Sequence, residues 1–206
     1  AKEQKLSIKE GSKREKLLSS LIAYLQGDGC VIKRHKKDKK KVRYDIAFYP
    51  DHIALARFFT ILYYNLYGRQ LKIKKLKNYY KVKTTHKRAY KELIHLAKFY
   101  TLEWRIPSNI LQEKTKSSLW LRAVFDCEGY VGKNRVALQT VNRKGMLQIR
   151  SLLKKFGIES RFYVYQRKQK NWNKNYLIFI LKKNSRQRFL KNIGFNHPIK
   201  QRKLIA

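Results

Sequence analysis

Acidic residues are scarce in this chain. Thirteen Asp and Glu stand against 50 Lys and Arg in 206 residues, for a net charge of +37, and no acid follows Glu159. Self-repulsion on that scale costs stability. A polyanionic partner is the economical explanation, and nucleic acid fits it better than a membrane surface or ribosome-like packing. Cysteine is nearly absent too. Cys30 and Cys127 form no CxxC pair and no Cys/His cluster at zinc spacing, which excludes a disulfide scaffold and a zinc finger. Both read as small buried residues in a reducing compartment. The five His (His35, His52, His86, His95, His197) are scattered, without metal-ligand spacing. No apolar run reaches transmembrane length, and AKEQKLSIKEGSKREK lacks the apolar core of a signal peptide. The expectation is a protein of the cytoplasm or an organelle, not secreted and not on a membrane. Apolar residues at 43% and aromatics at 13% give it a core to fold around.

Hydrophobic periodicity and turn residues divide the chain. Residues 1–11 read as a polar arm, 12–100 as a first repeat, 101–115 with Pro107 as a linker, and 116–206 as a second repeat. Ser12-x-x-Glu15 is a capping box ahead of an apolar run, and the helix it opens ends at Asp28-Gly29. CVIKRHKK and VRYDIAFY read as strands around the basic tip KKDKKK. A helix over 52–67, a hairpin from RQLKIKKLKN and YYKVKTT, and a helix over 86–100 complete the unit. The second unit has a helix over 117–128 and a strand VGKNRVALQTV broken near Lys133-Asn134. A helix over 143–156 capped by Asn142, the hairpin SRFYVYQRK/KNYLIFILKK and a helix over 185–193 follow. The order α-β-β-α-β-β-α thus occurs twice, an α+β fold of two pseudo-symmetric repeats.

One stretch carries the repeat at residue level. LIAYLQGDG, residues 21–29, returns as LRAVFDCEG, residues 121–129. Ala23 and Gly27 share one helix face, as do Ala123 and Cys127, and small residues on a face let two helices approach closely. Each helix ends on an acid, against the negative end of its own dipole. If the two helices pack about a pseudo-twofold axis, Asp28 and Glu128 sit side by side, where they repel and raise each other's pKa. A divalent cation removes that conflict, and hard oxygen ligands suit Mg²⁺. The plainer alternative is an exposed acid before a glycine C-cap; its doubling at matched positions in an acid-poor chain argues against it. Asp126, whose counterpart is Gln26, reads as a local cap or pair.

The two stretches resemble the signature motifs of LAGLIDADG homing endonucleases in their single-chain, two-motif form. The element order and the tail IGFNHPIKQRKL resemble that family as well. The resemblance implies saddle-shaped antiparallel sheets over DNA with the motif helices packed at the centre. It implies a monomer that recognises a long asymmetric site. That monomer makes a double-strand break with short 3′ overhangs, serving intron or intein mobility, with compact archaeal intron proteins the preferred comparison. Asp28 and Glu128 become the catalytic metal-binding acids, with Gly27 and Cys127 beside them at the metal. Mg²⁺ is the expected cofactor; Mn²⁺ substitutes, and Ca²⁺ binds without supporting cleavage. Lys83 and Lys182 are the nearest matches to the family's supporting basic residue, as transition-state stabiliser or water polariser; a phosphate contact or a solvated strand lysine is the alternative for each. Thr140 is the one candidate for the family's accessory polar residue. The first repeat offers only Phe48 and Tyr49 there.

Basic residues fall on the expected hairpins. KRHKKDKKKVR holds eight Lys and Arg in eleven residues, and residues 69–91 hold ten and no acid. Lys33, Arg34, Lys36, Arg43, Arg69, Lys72, Lys74 and Lys81 are the first repeat's candidates for double-stranded DNA. Arg135, Gln139, Thr140, Arg161, Tyr163, Tyr165, Arg167 and Lys174 are the second's. Alternation puts Lys72 and Lys74 on the face opposite Leu71 and Ile73. Arg and Gln read base edges in the major groove, while most Lys contacts go to phosphate. An intron-RNA maturase, with its own intron RNA as partner, and a non-cleaving DNA-binding regulator are the competing functions. A basic ribosomal or chromatin-type protein is a third.

Overall fold

The structure, a computed structural model, describes residues 2–35, 41–166 and 172–206, with side chains from residue 13 onward. The first repeat comprises α1 (Lys2–Gly27), β1 (Gly29–His35), β2 (Val42–Phe48), α2 (Ile53–Tyr67), β3 (Ile73–Lys75), β4 (Tyr80–Thr85) and α3 (Lys87–Leu96). A short α4 (Ser108–Gln112) lies in the connector. The second repeat comprises α5 (Lys114–Glu128), β5 (Gly129–Gly132), β6 (Arg135–Thr140), α6 (Arg143–Lys155), β7 (Arg161–Tyr165), β8 (Asn175–Ile180) and α7 (Lys183–Asn192). Then comes α8 (Pro198–Ile205). Each repeat forms one antiparallel sheet, in the order β1-β2-β4-β3 and β5-β6-β8-β7. The doubled order read from the sequence is the order of the fold.

Alternation along the strands separates two faces of each sheet. Val31, Ile46, Phe48 and Val82 in the first, and Val131, Val136, Leu138, Ile178 and Ile180 in the second, are buried beneath the helices. At the centre α1 packs against α5. Leu21, Ala23, Tyr24 and Leu25 from α1, and Trp120, Leu121, Ala123 and Phe125 from α5, are fully buried. A hydrophobic helix end this deep derives its stability from the partner helix rather than from propensity.

Several boundaries depart from the sequence reading. Residues 2–11 continue α1 instead of forming an arm, since Lys, Gln and Glu are strong helix formers. The Ser12-x-x-Glu15 box is therefore not a helix start, and Glu15 pairs with the Lys116 ammonium. α3 stops at Leu96, four residues before Tyr100, where Ala97 turns to extended backbone, and Gln26 Nε2 donates to the Lys98 carbonyl beyond it at 3.0 Å. The segment read as one broken strand is a hairpin, with Gly132 opposite Arg135. α8, opened by Pro198 and capped by the His197 ring, is a helix the periodicity did not suggest. Asn142 caps α6 as expected, accepting from Gly145 N at 3.0 Å.

Candidate metal and nucleic-acid site

Each motif is a helix that must stop within one residue and turn into a strand. Gly29 and Gly129 permit it. A Cβ on Gly29 would lie 2.6 Å from Leu25 Cα, and one on Gly129 would lie 2.3 Å from Phe125 O. Gly27 answers a different need, since a Cβ there would lie 2.7 Å from Cys127 Cβ across the helix pair. The small residues on the shared face therefore do what their spacing predicts: they let α1 and α5 converge where the acids leave them.

Asp28 and Glu128 meet at that convergence. Burial pushes both carboxyls above their ordinary values. Glu128 keeps solvent access at its rim, yet the protein hemming it in, and then the Asp28 charge, push it up to about 7. The Cys127 thiol hydrogen-bonds Asp28 and draws it part of the way back. Asp28 also feels Asp51, on the loop before α2. The repulsion between two partly desolvated carboxylates is of the kind a hard dication relieves.

The residues present fit such an ion within limits. Among the described residues no group of three or more His, Cys, Asp or Glu could hold a metal. The protein therefore offers two carboxylates and main-chain oxygens, the donor set of Mg²⁺ bound with phosphate oxygens and water. Gly27 and Cys127 belong at the helix contact rather than among the side-chain ligands. Gly27 has no side chain, and burial and the neighbouring acids push the Cys127 thiol well up, so it stays protonated. Both cysteines are free and only part-buried.

One cation that acts on both acids is a residue that periodicity and motif spacing did not single out. Lys200, on α8, donates to Asp126 O at 2.5 Å and Cys127 O at 3.2 Å, the last carbonyls of α5. Its charge lowers the carboxyls of both Asp28 and Glu128. Asp126 holds α8 there. Its Oδ1 accepts from Asn196 N at 2.8 Å and His197 N at 2.9 Å, and its Oδ2 accepts from Tyr24 Oη at 2.7 Å. His197 Nε2 lies 3.4 Å from Asp51 Oδ1, a second tie between tail and first repeat. The signal for Lys200 lay in the tail itself, where HPIK places a Pro at N1 and a Lys one turn inside a helix.

Lys83 and Lys182 stand elsewhere. Lys83 Nζ is 2.8 Å from Asp45 Oδ2, on the sheet face away from the helices, and Arg43 (3.5 Å) and Arg34 (3.7 Å) gather on the same carboxylate. Lys182 pairs with Glu159 at 2.6 Å beyond the end of β8. Nor are they counterparts. Gly29 pairs with Phe48 and Phe48 with Val82, as Gly129 pairs with Leu138 and Leu138 with Ile178. The residue at the place of Lys83 is therefore Phe179. The register, not the position near a strand end, sets equivalence between the repeats.

The same register sorts the DNA candidates. Arg34, Arg43, Lys74 and Lys81 in the first sheet, and Arg135, Gln139, Arg161, Tyr163 and Tyr165 in the second, share the outer faces. Lys72 and Lys174 are exposed on the loops leading into β3 and β8. Arg69, also on a loop, donates to Thr85 O at 3.0 Å. Lys33 pairs with Tyr44 and takes the helix-side parity. Thr140 has the parity of Leu138, and its Oγ1 accepts from Asn142 N at 3.2 Å, inside the turn into α6. Lys36 and Arg167 lie outside the described residues. No helix among the described residues is long and apolar enough to cross a membrane.

Residues 115–194 match the LAGLIDADG-like domain family. The crystal structure of I-DmoI in complex with DNA and Mn superposes with a TM-score of 0.71 at 15% identity, covering 87% of this chain and 97% of that one. A G20S variant of I-DmoI with its target DNA and Mg gives 0.69 at 15% identity, covering 88% and 97%. Full-length DUF199/WhiA from Thermatoga maritima gives 0.59 at 18% identity, covering 93% and 58%. Among curated proteins, a glutamine–fructose-6-phosphate aminotransferase of Methanocaldococcus jannaschii is 34% identical over 89 residues. A replication factor C small subunit of the same organism is 33% identical over 102 residues. These stretches are 42% and 49% of this chain but only 8% and 5% of the two relatives. The second repeat matches the LAGLIDADG-like domain family by sequence, and the whole chain shares the fold of the I-DmoI structures.

Proposed function

We propose that this chain is a site-specific, divalent-metal-dependent endonuclease of double-stranded DNA. The observation that carries the reading is the pair of desolvated carboxylates, Asp28 and Glu128, brought together by two helices that converge through Gly27 and Cys127. An acid pair with one carboxyl raised to about 7 is held at a cost. Asp28 and Glu128 would hold Mg²⁺ or Mn²⁺. The ion, when bound, supplies charge neutralisation and Lewis acidity at a scissile phosphate. The chain's own parts do the rest. The Cys127 thiol steadies Asp28. Lys200 offsets negative charge where a phosphate would add more. The outer faces of both sheets, fed by the net +37, bind and orient the duplex. Hydrolysis of one phosphodiester in each strand then gives a double-strand break with short 3′ overhangs.

The relatives support a mobile element. An aminotransferase and a replication factor subunit share no chemistry, yet each matches this chain over a small fraction of its own length. A module inserted into unrelated hosts leaves that footprint. I-DmoI, solved with target DNA and with Mn, Ca or Mg, supports both the duplex and the metal.

The test is selection from a randomised duplex library with Mg²⁺, recovering cut ends and bound intact molecules separately. One long asymmetric cut site, lost with EDTA and with Asp28→Asn or Glu128→Gln, is the expected result. Binding should weaken steeply with salt, by about 0.9 in log–log slope per neutralised phosphate. A bound motif that is never cut would make the chain a regulator, and structured RNA bound in preference to any duplex would make it an intron-RNA protein.

A further inference from the structure

The two outer sheet faces are related by register but opposite in chemistry. Lys74, Lys81 and Lys83 of the first sheet correspond to Tyr163, Leu177 and Phe179 of the second, through the pairs Lys74–Lys81 and Tyr163–Leu177 and the rows Ala47–Lys83 and Ala137–Phe179. Asp45, which gathers three cations, corresponds to Arg135. The first face is a bed of ammonium and guanidinium groups. The second is apolar and aromatic at these rows, with Arg135 and Arg161 on the same face. Tyr130, Tyr163 and Tyr165 are 53%, 44% and 55% exposed. The Phe179 and Tyr163 rings meet edge to face at 5.4 Å. Arg135 lies over the Tyr130 and Phe179 rings at 5.7 and 5.5 Å. A shallow hollow of about 370 Å³ runs from Glu128 across Tyr130, Ala137, Gln139, Leu177 and Phe179.

We infer that the second repeat reads thymine methyl groups beside the cut, while the first repeat anchors phosphates. The inference rests on the endonuclease reading above and specifies its substrate. The hollow is continuous with Glu128, so whatever covers it adjoins the scissile phosphate. A duplex laid along the first sheet by its lysines extends over the second, where no lysine occupies the equivalent rows. In the major groove the apolar feature of a base pair is the C5-methyl of thymine, and aliphatic and aromatic side chains contact it. Ala137, Leu177 and Phe179 form the apolar floor of this hollow. Gln139, exposed beside Leu177, faces the same groove and pairs with adenine N6 and N7, the partner of a thymine. Arg135, pre-set on two rings, marks the floor's far edge.

The experiment replaces thymidine by deoxyuridine, which removes the methyl and leaves base pairing unchanged. The target comes from library selection with the wild type. The half read by the second repeat is the half whose preference changes in Leu177→Lys and in Phe179→Lys, substitutions that install the first sheet's residue. In that half, uracil should weaken wild-type binding about fourfold for each methyl buried, with little effect in the other half. Leu177→Ser should bind thymine and uracil duplexes alike, and retention of binding to the unaltered half shows that it folds. Equal wild-type affinity for both duplexes in that half, with cleavage intact, would overturn the inference and leave the endonuclease standing. Failure to bind any duplex would overturn both. Single-stranded DNA or RNA outcompeting the duplex would overturn it in favour of base stacking on the tyrosines.

Discussion

Glu128→Gln should make the protein more stable while abolishing cleavage of at least one strand. The carboxyl is raised from 4.5 to about 7, by desolvation first and the Asp28 charge second. A folded-state pKa above the unfolded value means the native protein binds the proton more tightly than the unfolded chain. The ionised form therefore destabilises the fold, and stability falls as pH rises from about 4.5 through about 7. At about 1.36 kcal/mol per pH unit the full effect is about 3 kcal/mol. Glu128 retains solvent access, and screening reduces this to about 1–2 kcal/mol. Gln is nearly isosteric and carries no charge, so the variant should gain that amount at pH 8 and nothing below pH 5. A gain of that size moves Tm by roughly 2–8 °C in a chain this long. Urea or thermal unfolding of wild type and variant at pH 5, 6, 7 and 8, without metal, measures it directly. Mg²⁺ added at pH 8 should stabilise the wild type and leave the variant nearly unchanged, since the ion relieves the same repulsion. A variant less stable than wild type at pH 8, or a difference independent of pH, would refute the account of the acids as a mutually strained pair.

The neighbouring acid should behave in the opposite way. Asp126→Ala strands Asn196 N–H, His197 N–H and the Tyr24 hydroxyl in a buried place. At about 1–3 kcal/mol for each unpaired group, a loss of about 3–9 kcal/mol in denaturant unfolding is expected, with faster hydrogen exchange at residues 196 and 197; a loss under 1 kcal/mol would contradict this account. Gly27→Val must displace Cys127, whose Cβ already lies within 2.7 Å of where a Cβ would stand. It should cost about 1–3 kcal/mol and weaken metal binding by parting the acids, read by calorimetry. Lys200→Met removes an ammonium that acts on both acids and should tighten Mn²⁺ binding to the DNA-free protein several-fold; unchanged affinity would place the ion away from Asp28 and Glu128.

Much of the fold was legible because its signals are local. A capped helix, a glycine after an acid and an alternating strand each announce themselves within ten residues. The small residue four places before each convergence point had already shown which helix faces meet. The misplaced side chains share one cause: each depends on pairing between segments far apart in sequence. Lys182 looks like the counterpart of Lys83 when strands are matched by their ends, and only the hydrogen-bonded register shows that Phe179 holds that place. Thr140 sits one residue from an outer-face position, and one residue is enough to turn a strand side chain to the other face. Lys200 is 72 residues beyond Glu128 and reaches the site only because Asp126 anchors the peptide groups before α8.

The position preceding each motif's last small residue explains how two diverged repeats keep one centre. Gln26 and Asp126 occupy it, and the sequence offered no common chemistry between them. In the structure each is buried and ties down the chain that follows its own repeat. Gln26 Nε2 donates to Lys98 O and Arg105 O, both at 3.0 Å, and Asp126 accepts from Asn196 N and His197 N. Each is also reached from the opposite helix, Gln26 Oε1 by Trp120 Nε1 at 3.0 Å and Asp126 by Tyr24. An amide suits the first place because it must give two hydrogen bonds to carbonyls and take one. A carboxylate suits the second because every group around it is a donor. The acid at Asp126 therefore follows from hydrogen-bond polarity alone, which removes it from the catalytic inventory and leaves Asp28 and Glu128 as the two motif acids held at a cost.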